Sequence, residues 1–241
     1  MRPLLKVVIA LGCLLAMGAS LFGCHKAPPP TPTHLSAAEI VERSSEAVEA
    51  VSYFHFTLEH EGGGTPIALG LEMQRAEGDV AKPGRLQMEV SATRQAMPVE
   101  VESITIGEET YLRMTFPIVT VWEPLPSEFS SVALFDPEAG VAALMREVAD
   151  VVRLDDAVTS GTRCYHLRGK MSSEQLVPIL GSSVLKGMPI EAEVWVGKAD
   201  FLPYQIKFSG RMTEAEAEGV IRTLRLSRFD QRVSITPPPL E

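Results

Sequence analysis

The sequence predicts an α+β domain in which a long antiparallel sheet carries a few helices on one face. Three observations predict it. Most of the chain between residues 53 and 229 alternates apolar and polar side chains with period two, glycine- and proline-rich turns separate the runs, and only short segments switch to the helical period. Strands patterned this way have one apolar face each, and amphipathic helices laid on that face are the economical way to cover it.

The elements follow in order. Ser36 with Glu39 three residues later is a capping-box pattern, and Ile40, Ser44, Ala47, Val48 and Val51 recur at helical spacing, which predicts a helix through Ala50. Tyr53 to Glu59 then alternates, with Phe54, Phe56 and Leu58 on one face and Tyr53, His55, Thr57 and Glu59 on the other. The glycines at 62–64 turn the chain into a second run, Ile67, Leu69, Leu71 and Met73, and the pair reads as a hairpin. After the Lys82-Pro83-Gly84 turn, Leu86, Met88 and Val90 oppose Gln87, Glu89 and Ser91. Further strands are predicted over 99–106, 110–116 and 118–122, around a turn at Gly107-Glu108-Glu109.

Asp136-Pro137 is an N-cap followed by proline at the first helical position, and Val141, Leu144, Met145, Val148 and Val152 trace a helical stripe beyond it. A short strand is expected over 163–168. Ser172 with Gln175 opens a second short helix carrying Leu176, Ile179 and Leu180, which Pro178 would kink or break. The last third is strand again: Ile190, Ala192, Val194 and Val196, then Tyr204, Ile206 and Phe208, then, after the acidic turn Glu214 to Glu218, the run 220–229. No internal linker divides residues 36–236, so one domain is expected there, with 237–241 as a stiff proline-led tail.

Ahead of this domain the chain changes character. Arg2 and Lys6 precede an uncharged stretch of 15 residues, 7–21, and Leu21-Phe22-Gly23-Cys24 closes it. The stretch falls short of the ~20 apolar residues of a membrane-spanning helix, and its flanks are those of a secretory signal. The Leu-x-Gly-Cys ending resembles the lipobox of bacterial lipoproteins, in which the cysteine is acylated. The resemblance implies that residues 1–23 are a lipoprotein signal peptide, that Cys24 is the lipid anchor, and that the protein sits on the extracytoplasmic face of the cell membrane. Two or more acyl chains make such an attachment stable. Residues 25–34 contain four prolines and read as an extended spacer, so 24–35 is a lipidated, proline-rich tether.

Composition narrows the function. The full chain carries 22 Lys plus Arg against 31 Asp plus Glu, a net charge of −9, and loss of Arg2 and Lys6 with the leader makes it −11. Such a chain lacks the clustered positive charge of nucleic-acid binding, and charge alone would not hold it to anionic lipid. With Cys13 in the leader and Cys24 the anchor, Cys164 has no partner for a disulfide and reads as a small buried apolar residue. His25 and His34 lie in the tether, His55 and His60 lack zinc-site spacing, and His166 stands alone. There is no nucleophile elbow, phosphate-cradling loop or dinucleotide fingerprint. No catalytic residue, metal or cofactor is therefore expected.

Several segments, taken in order, carry a family resemblance: Ser52-Tyr53-Phe54-His55-Phe56, Gly78 to Gly84, Ile106-Gly107-Glu108-Glu109-Thr110-Tyr111-Leu112-Arg113, Trp122, the strand 161–169 (Gly-Thr-Arg-Cys-Tyr-His-Leu-Arg-Gly), and Glu193-Val194-Trp195-Val196-Gly197 with Pro203. Behind a lipobox and spacer, this order resembles the LppX/LprA/LprF/LprG family of mycobacterial-type lipoproteins, relatives in fold of the carriers LolA and LolB. The resemblance covers roughly 36–236. It implies a curved antiparallel half-barrel with helices packed on its concave face, and between the layers a hydrophobic cavity for the acyl chains of a lipid or lipoglycan. Members carry such lipids between envelope layers and are not enzymes, and a partner transporter beside the chain is a further expectation. Phe54, Phe56, Leu58, Ile67, Leu69, Leu71, Leu86, Met88 and Val90 are the cavity candidates. By pattern alone the same residues read first as a filled core, and it is the resemblance that favours a cavity; a sensor or protein-interaction module on the same fold is the alternative function.

Overall fold

The computed structural model describes residues 35–126, 140–176 and 184–240. The predicted leader, Cys24 and nearly all of the tether lie outside the described residues, as do Asp136-Pro137 and the segment with Pro178, Ile179 and Leu180. Residues Leu35–Glu241 form one compact unit.

The capping box forms as the sequence predicts: the Glu39 amide donates to Ser36 Oγ at 3.2 Å, and the Ser36 amide donates to Glu39 Oε2 at 2.8 Å. It starts helix α1 (Ala37–Ala50), whose apolar side buries Ile40 and Val48. At the far end Lys82 Nζ donates to the carbonyl of Val48 at 2.6 Å, satisfying one of the acceptors every helix C-terminus leaves open. Burial there pushes the Lys82 ammonium below its usual range.

The strands are β1 (Tyr53–Glu61), β2 (Thr65–Ile67), β3 (Leu71–Ala81), β4 (Arg85–Arg94), β5 (Met97–Ile106), β6 (Glu109–Phe116) and β7 (Glu123–Leu125). After the short helix α2 (Val141–Arg146) come β8 (Ala149–Arg153), β9 (Ala157–Thr159), β10 (Thr162–Ser172), β11 (Pro189–Gly197), β12 (Pro203–Ser209) and β13 (Ile221–Ser227). They make one 13-stranded antiparallel sheet in the order β7-β6-β5-β4-β3-β1-β13-β12-β11-β10-β8, with β2 on β3 and β9 on β10. The sheet does not close on itself, so this is the predicted α+β half-barrel with helices on its inner face. The first and last strands meet at its centre, where Leu58 pairs with Leu224.

Register places one apolar side chain per strand in a row across the inner face. It runs Leu167, Val194, Ile206, Leu224, Leu58, Ala76, Val90, Val101 and Met114, through nine strands from β10 to β6. In the neighbouring row Gly78 stands between Phe56 and Met88. A Cβ there would meet the Gln87 carbonyl at 2.3 Å and Met88 Cβ at 2.8 Å, so only glycine fits.

Four segments differ from the sequence reading. Ile67 to Met73 is not one strand: β2 stops at Ile67, Leu69 takes a left-handed φ of 63°, and β3 starts at Leu71. The stripe from Val141 to Val152 is helical only to Arg146, because Ala149–Arg153 instead pairs with β10. Residues 118–122 are a loop and the strand comes later, at Glu123–Leu125. The helix opened by Ser172 is, among the described residues, a 3-10 turn over Ser173–Leu176.

Candidate functional site

Where β10–β13 and β1 pass under the helices, the inner face does not fill. A cavity of about 120 Å³ remains. Phe56, Leu58, Leu224, Ile206, Phe208, Val194 and Ala192 form its floor, Val141, Leu144, Met145 and Val148 its roof, and Leu176 and Met212 part of its wall. The lining offers the void no polar atom. A space like this stays dry and accepts apolar groups; an engineered cavity of ~150 Å³ with similar lining binds benzene. Its volume matches a hydrocarbon segment and is too small for a whole two-chain lipid.

The roof is slight. Helix α2 has six residues and a glycine N-cap with no side-chain bond. Helices this short do not persist alone, so packing must hold it. Leu144 and Met145 are buried against the floor strands. Ser45 of α1, small enough for close approach, donates its hydroxyl to the Ala142 carbonyl at 2.9 Å. Arg146 adds an ion pair to Glu49 at 2.7 Å, at a surface position where such pairs contribute little.

A polar cluster lies just behind one end of the cavity. Arg222, on β13 beside His60 of β1, reaches the lining with only 6% of its side chain exposed. Its Nε donates to Thr65 Oγ1 at 2.9 Å, an Nη donates to the Gly210 carbonyl at 3.1 Å, and it pairs with Glu216, which is wholly buried. Glu216 also accepts the amides of Met212 at 2.7 Å and Thr213 at 3.2 Å. His60 bonds Thr65 Oγ1 at 2.9 Å and the Gln74 carbonyl at 3.0 Å. Burial pushes the His60 imidazole below its usual range; the bond to the Gln74 carbonyl opposes this and the Arg222 charge adds to it. The buried pair, with Glu216 Oε1 and Arg222 Nη2 facing only each other, ties the 210–219 loop to the sheet and closes the cavity end without leaving a net charge in it.

Of the nine candidates read from the sequence, Phe56 and Leu58 line this cavity. Phe54, Leu71, Leu86 and Val90 are buried with Phe56 in the neighbouring cluster on β1–β5, and Ile67 and Met88 are half-buried against it. Leu69 sits on the left-handed turn, 47% exposed and away from the cavity. The remaining floor and roof residues, from α2, β11, β12 and β13, were legible as apolar faces but not as neighbours of β1. Cys164 is fully buried, as its lack of a partner suggests, and desolvation pushes its thiol up. His166 bonds Glu193 at 2.7 Å and stacks on Trp195 at 4.2 Å. Among the described residues no group of His, Cys, Asp or Glu converges to hold a metal, and no helix is long and apolar enough to cross a membrane.

An open antiparallel half-barrel with helices over an apolar void is the architecture of a container for apolar groups. The chain belongs to the LppX_LprAFG lipoprotein family, whose model matches residues 36–235. It is 22% identical over 238 residues to the lipoarabinomannan carrier protein LprG of Mycolicibacterium hassiacum, covering 97% of this chain and 98% of that one. In fold it resembles LprF from Mycobacterium bovis, with a TM-score of 0.65 at 16% identity over 85% of this chain and 97% of that one. LppX from Mycobacterium tuberculosis is similar too, with a TM-score of 0.59 at 14% identity over 83% of this chain and 98% of that one.

Proposed function

We propose that this chain is a membrane-anchored envelope lipoprotein that takes acyl chains of a lipid or glycolipid into the inner-face cavity and carries the molecule across or between envelope layers. The observation that carries the reading is the cavity itself: a void without polar lining, under a six-residue roof, on a sheet face that is apolar across nine strands. Membership of a lipoprotein family and the likeness to a lipoarabinomannan carrier support it. Cys24, acylated, is the anchor, and residues 25–34 hold the domain off the extracytoplasmic face of the membrane. The chemistry is non-covalent. Each methylene moved from bilayer to cavity stays out of water, which is worth about 0.8 kcal/mol, and the head group remains at the mouth. Because the closed void is small, loading lifts α2 from the floor, and the chain displaces Leu144 and Met145 as it enters.

Expression of residues 35–241 in a bacterial host, with native mass spectrometry of what co-purifies, tests the reading. Bound lipid, or uptake of a labelled lipid by the empty protein, is expected. Phe56→Asp places a carboxylate in the void and should cut that uptake at least tenfold. A folded protein that is always empty and takes up no lipid would instead support the sensor or protein-interaction module.

A further inference from the structure

Six of the nine large apolar side chains that stand out into solvent among the described residues lie at one end of the sheet: Leu69, Met97, Phe116, Ile118, Val119 and Val121. Hydrogen bonds and register bring them together. Arg94 Nη donates to the Leu69 carbonyl at 3.0 Å, Arg94 pairs with Met97 across the β4–β5 turn, and Glu100 of β5 pairs with Phe116. The 117–121 loop is laid back on the end of β6, where the Thr120 amide donates to the Met114 carbonyl and the Met114 amide to Thr120 Oγ1, each at 2.9 Å. Strands lie ~4.8 Å apart, so the turns from β3 to β6 form a rim about 15 Å wide.

Single exposed apolar residues are ordinary, but a contiguous set of them marks a contact surface. This set is also nearly uncharged. Segments 65–71, 94–98 and 116–122 together carry one charge, Arg94, in a chain that is 22% charged and strongly acidic. Ile118 and Val119 are 70% and 73% exposed. Trp122, just beyond the loop, has Arg113 4.8 Å over its ring and packs on the cluster of Ala81, Ile104 and Ile235, behind the rim.

We infer that this rim is a membrane-contact surface that dips into the head-group and upper acyl region of a lipid bilayer. The occupant is argued on two grounds. The turns that form the rim carry no carboxylate of their own, Glu72 and Glu100 standing one step behind them, so little at the rim edge would repel an anionic leaflet. The apolar row of the inner face joins the two places, running from Leu58 in the cavity to Met114, which bonds the rim loop. The inference rests on the lipid-binding reading in its purpose, since the rim would bring the cavity's apolar face to its source of acyl chains.

Both native tryptophans lie away from the rim, Trp195 on His166 and Trp122 on the cluster of Ala81, Ile104 and Ile235, so an indole placed at position 119 makes the test specific. The mature chain, residues 24–241 with Cys24→Ser, Trp122→Phe, Trp195→Phe and Val119→Trp, is mixed with phosphatidylcholine vesicles with or without brominated acyl chains. The emission of the introduced indole should shift to the blue and be quenched at least twofold by the brominated lipid. In the chain that keeps both native tryptophans, Ile118→Asp with Val119→Asp should lower the sedimented fraction at least tenfold while circular dichroism and Tm hold. An unquenched indole, or a double variant that sediments like its parent, overturns the inference and leaves the rim to a protein partner. A fluorescent fatty acid delivered from cyclodextrin separates the two readings. Uptake with an unquenched indole defeats the rim alone, and a quenched indole without uptake leaves the rim and defeats the cargo.

Discussion

The two halves of the sheet share one apolar inner face and use it differently. On β4 and β5, Leu86, Val90, Ala92, Val99 and Val101 are buried with Phe54 and Phe56 of β1 in a closely packed cluster, Phe56 also facing the cavity. On β10–β13, an equally apolar floor of Val194, Ile206, Phe208 and Leu224 leaves a void beneath α2. The floor is therefore not what makes a container. The difference lies in the cover: a six-residue helix held by three buried side chains, one serine bond and surface ion pairs. A strand floor fixed by long ladders and a cover with few attachments is the combination that lets a cavity change volume without unfolding the sheet.

The sharpest way to break the comparison is at the boundary of the roofed half. Arg222→Met leaves Glu216 buried without its cation, and losses of this kind cost about 3–5 kcal/mol. Urea denaturation should register it. Hydrogen exchange should show the 210–219 loop and α2 opening before β3–β6. Protection lost evenly over both halves would mean they do not differ as described.

A core truncation on each side sharpens the contrast. Leu86 is 1% exposed in the filled half, and Leu86→Ala should cost about 2–5 kcal/mol. Leu144, 7% exposed, already faces the void, so Leu144→Ala removes fewer contacts and should fall at or below the low end of that range. It should also enlarge the cavity and speed uptake of a labelled acyl chain. Equal losses of stability would say that the void is absent in solution.

A smaller effect belongs to α1. Ser36→Ala removes one half of the capping box and should cost about 1 kcal/mol. Because α1 carries Ser45 and Glu49, the partners of α2, the cost should appear mainly as faster exchange in the roofed half.

What the sequence disclosed was local. The capping box, the hairpins and the faces of β1, β4, β11 and β12 are written in neighbouring residues. The void is not, because it depends on β1 pairing with β13, where Leu58 meets Leu224. No periodicity encodes a partner that distant. Phe56 and Leu58 could thus be read as candidates, whereas Leu224, Phe208 and Met212 could not. Two misreadings have the same origin. Val152 fits a helical stripe and a strand equally, and only the ladder to β10, where it pairs with Arg168, decides for the strand. Leu69 fits an alternating run until Gly70, also at positive φ, lets the chain turn and exposes it.

The gentlest perturbation is acid. The His60 imidazole must donate through Nδ1 to the Gln74 carbonyl, which leaves Nε2 as the acceptor of the Thr65 hydroxyl, while Thr65 Oγ1 accepts from Arg222 Nε. That chain of bonds requires neutral His60. Protonation would aim a second N–H at Thr65 Oγ1 and add a positive charge beside Arg222, in keeping with the lowered pKa. The sign follows from linkage. The unfolded chain takes up its proton near pH 6.5 and the folded chain only at lower pH, so stability falls as pH drops from 6.5 toward the folded value. One proton sets a ceiling of about 1.4 kcal/mol per pH unit, and partial exposure reduces it. His60→Asn should be less stable than the parent at pH 7.5 and lose less Tm between pH 7.5 and 5. Exchange at pH 5 should rise at Thr65 and the 210–219 loop of the parent and stay unchanged on β4 and β5. A variant whose Tm falls as steeply as the parent's would assign the acid sensitivity to another group.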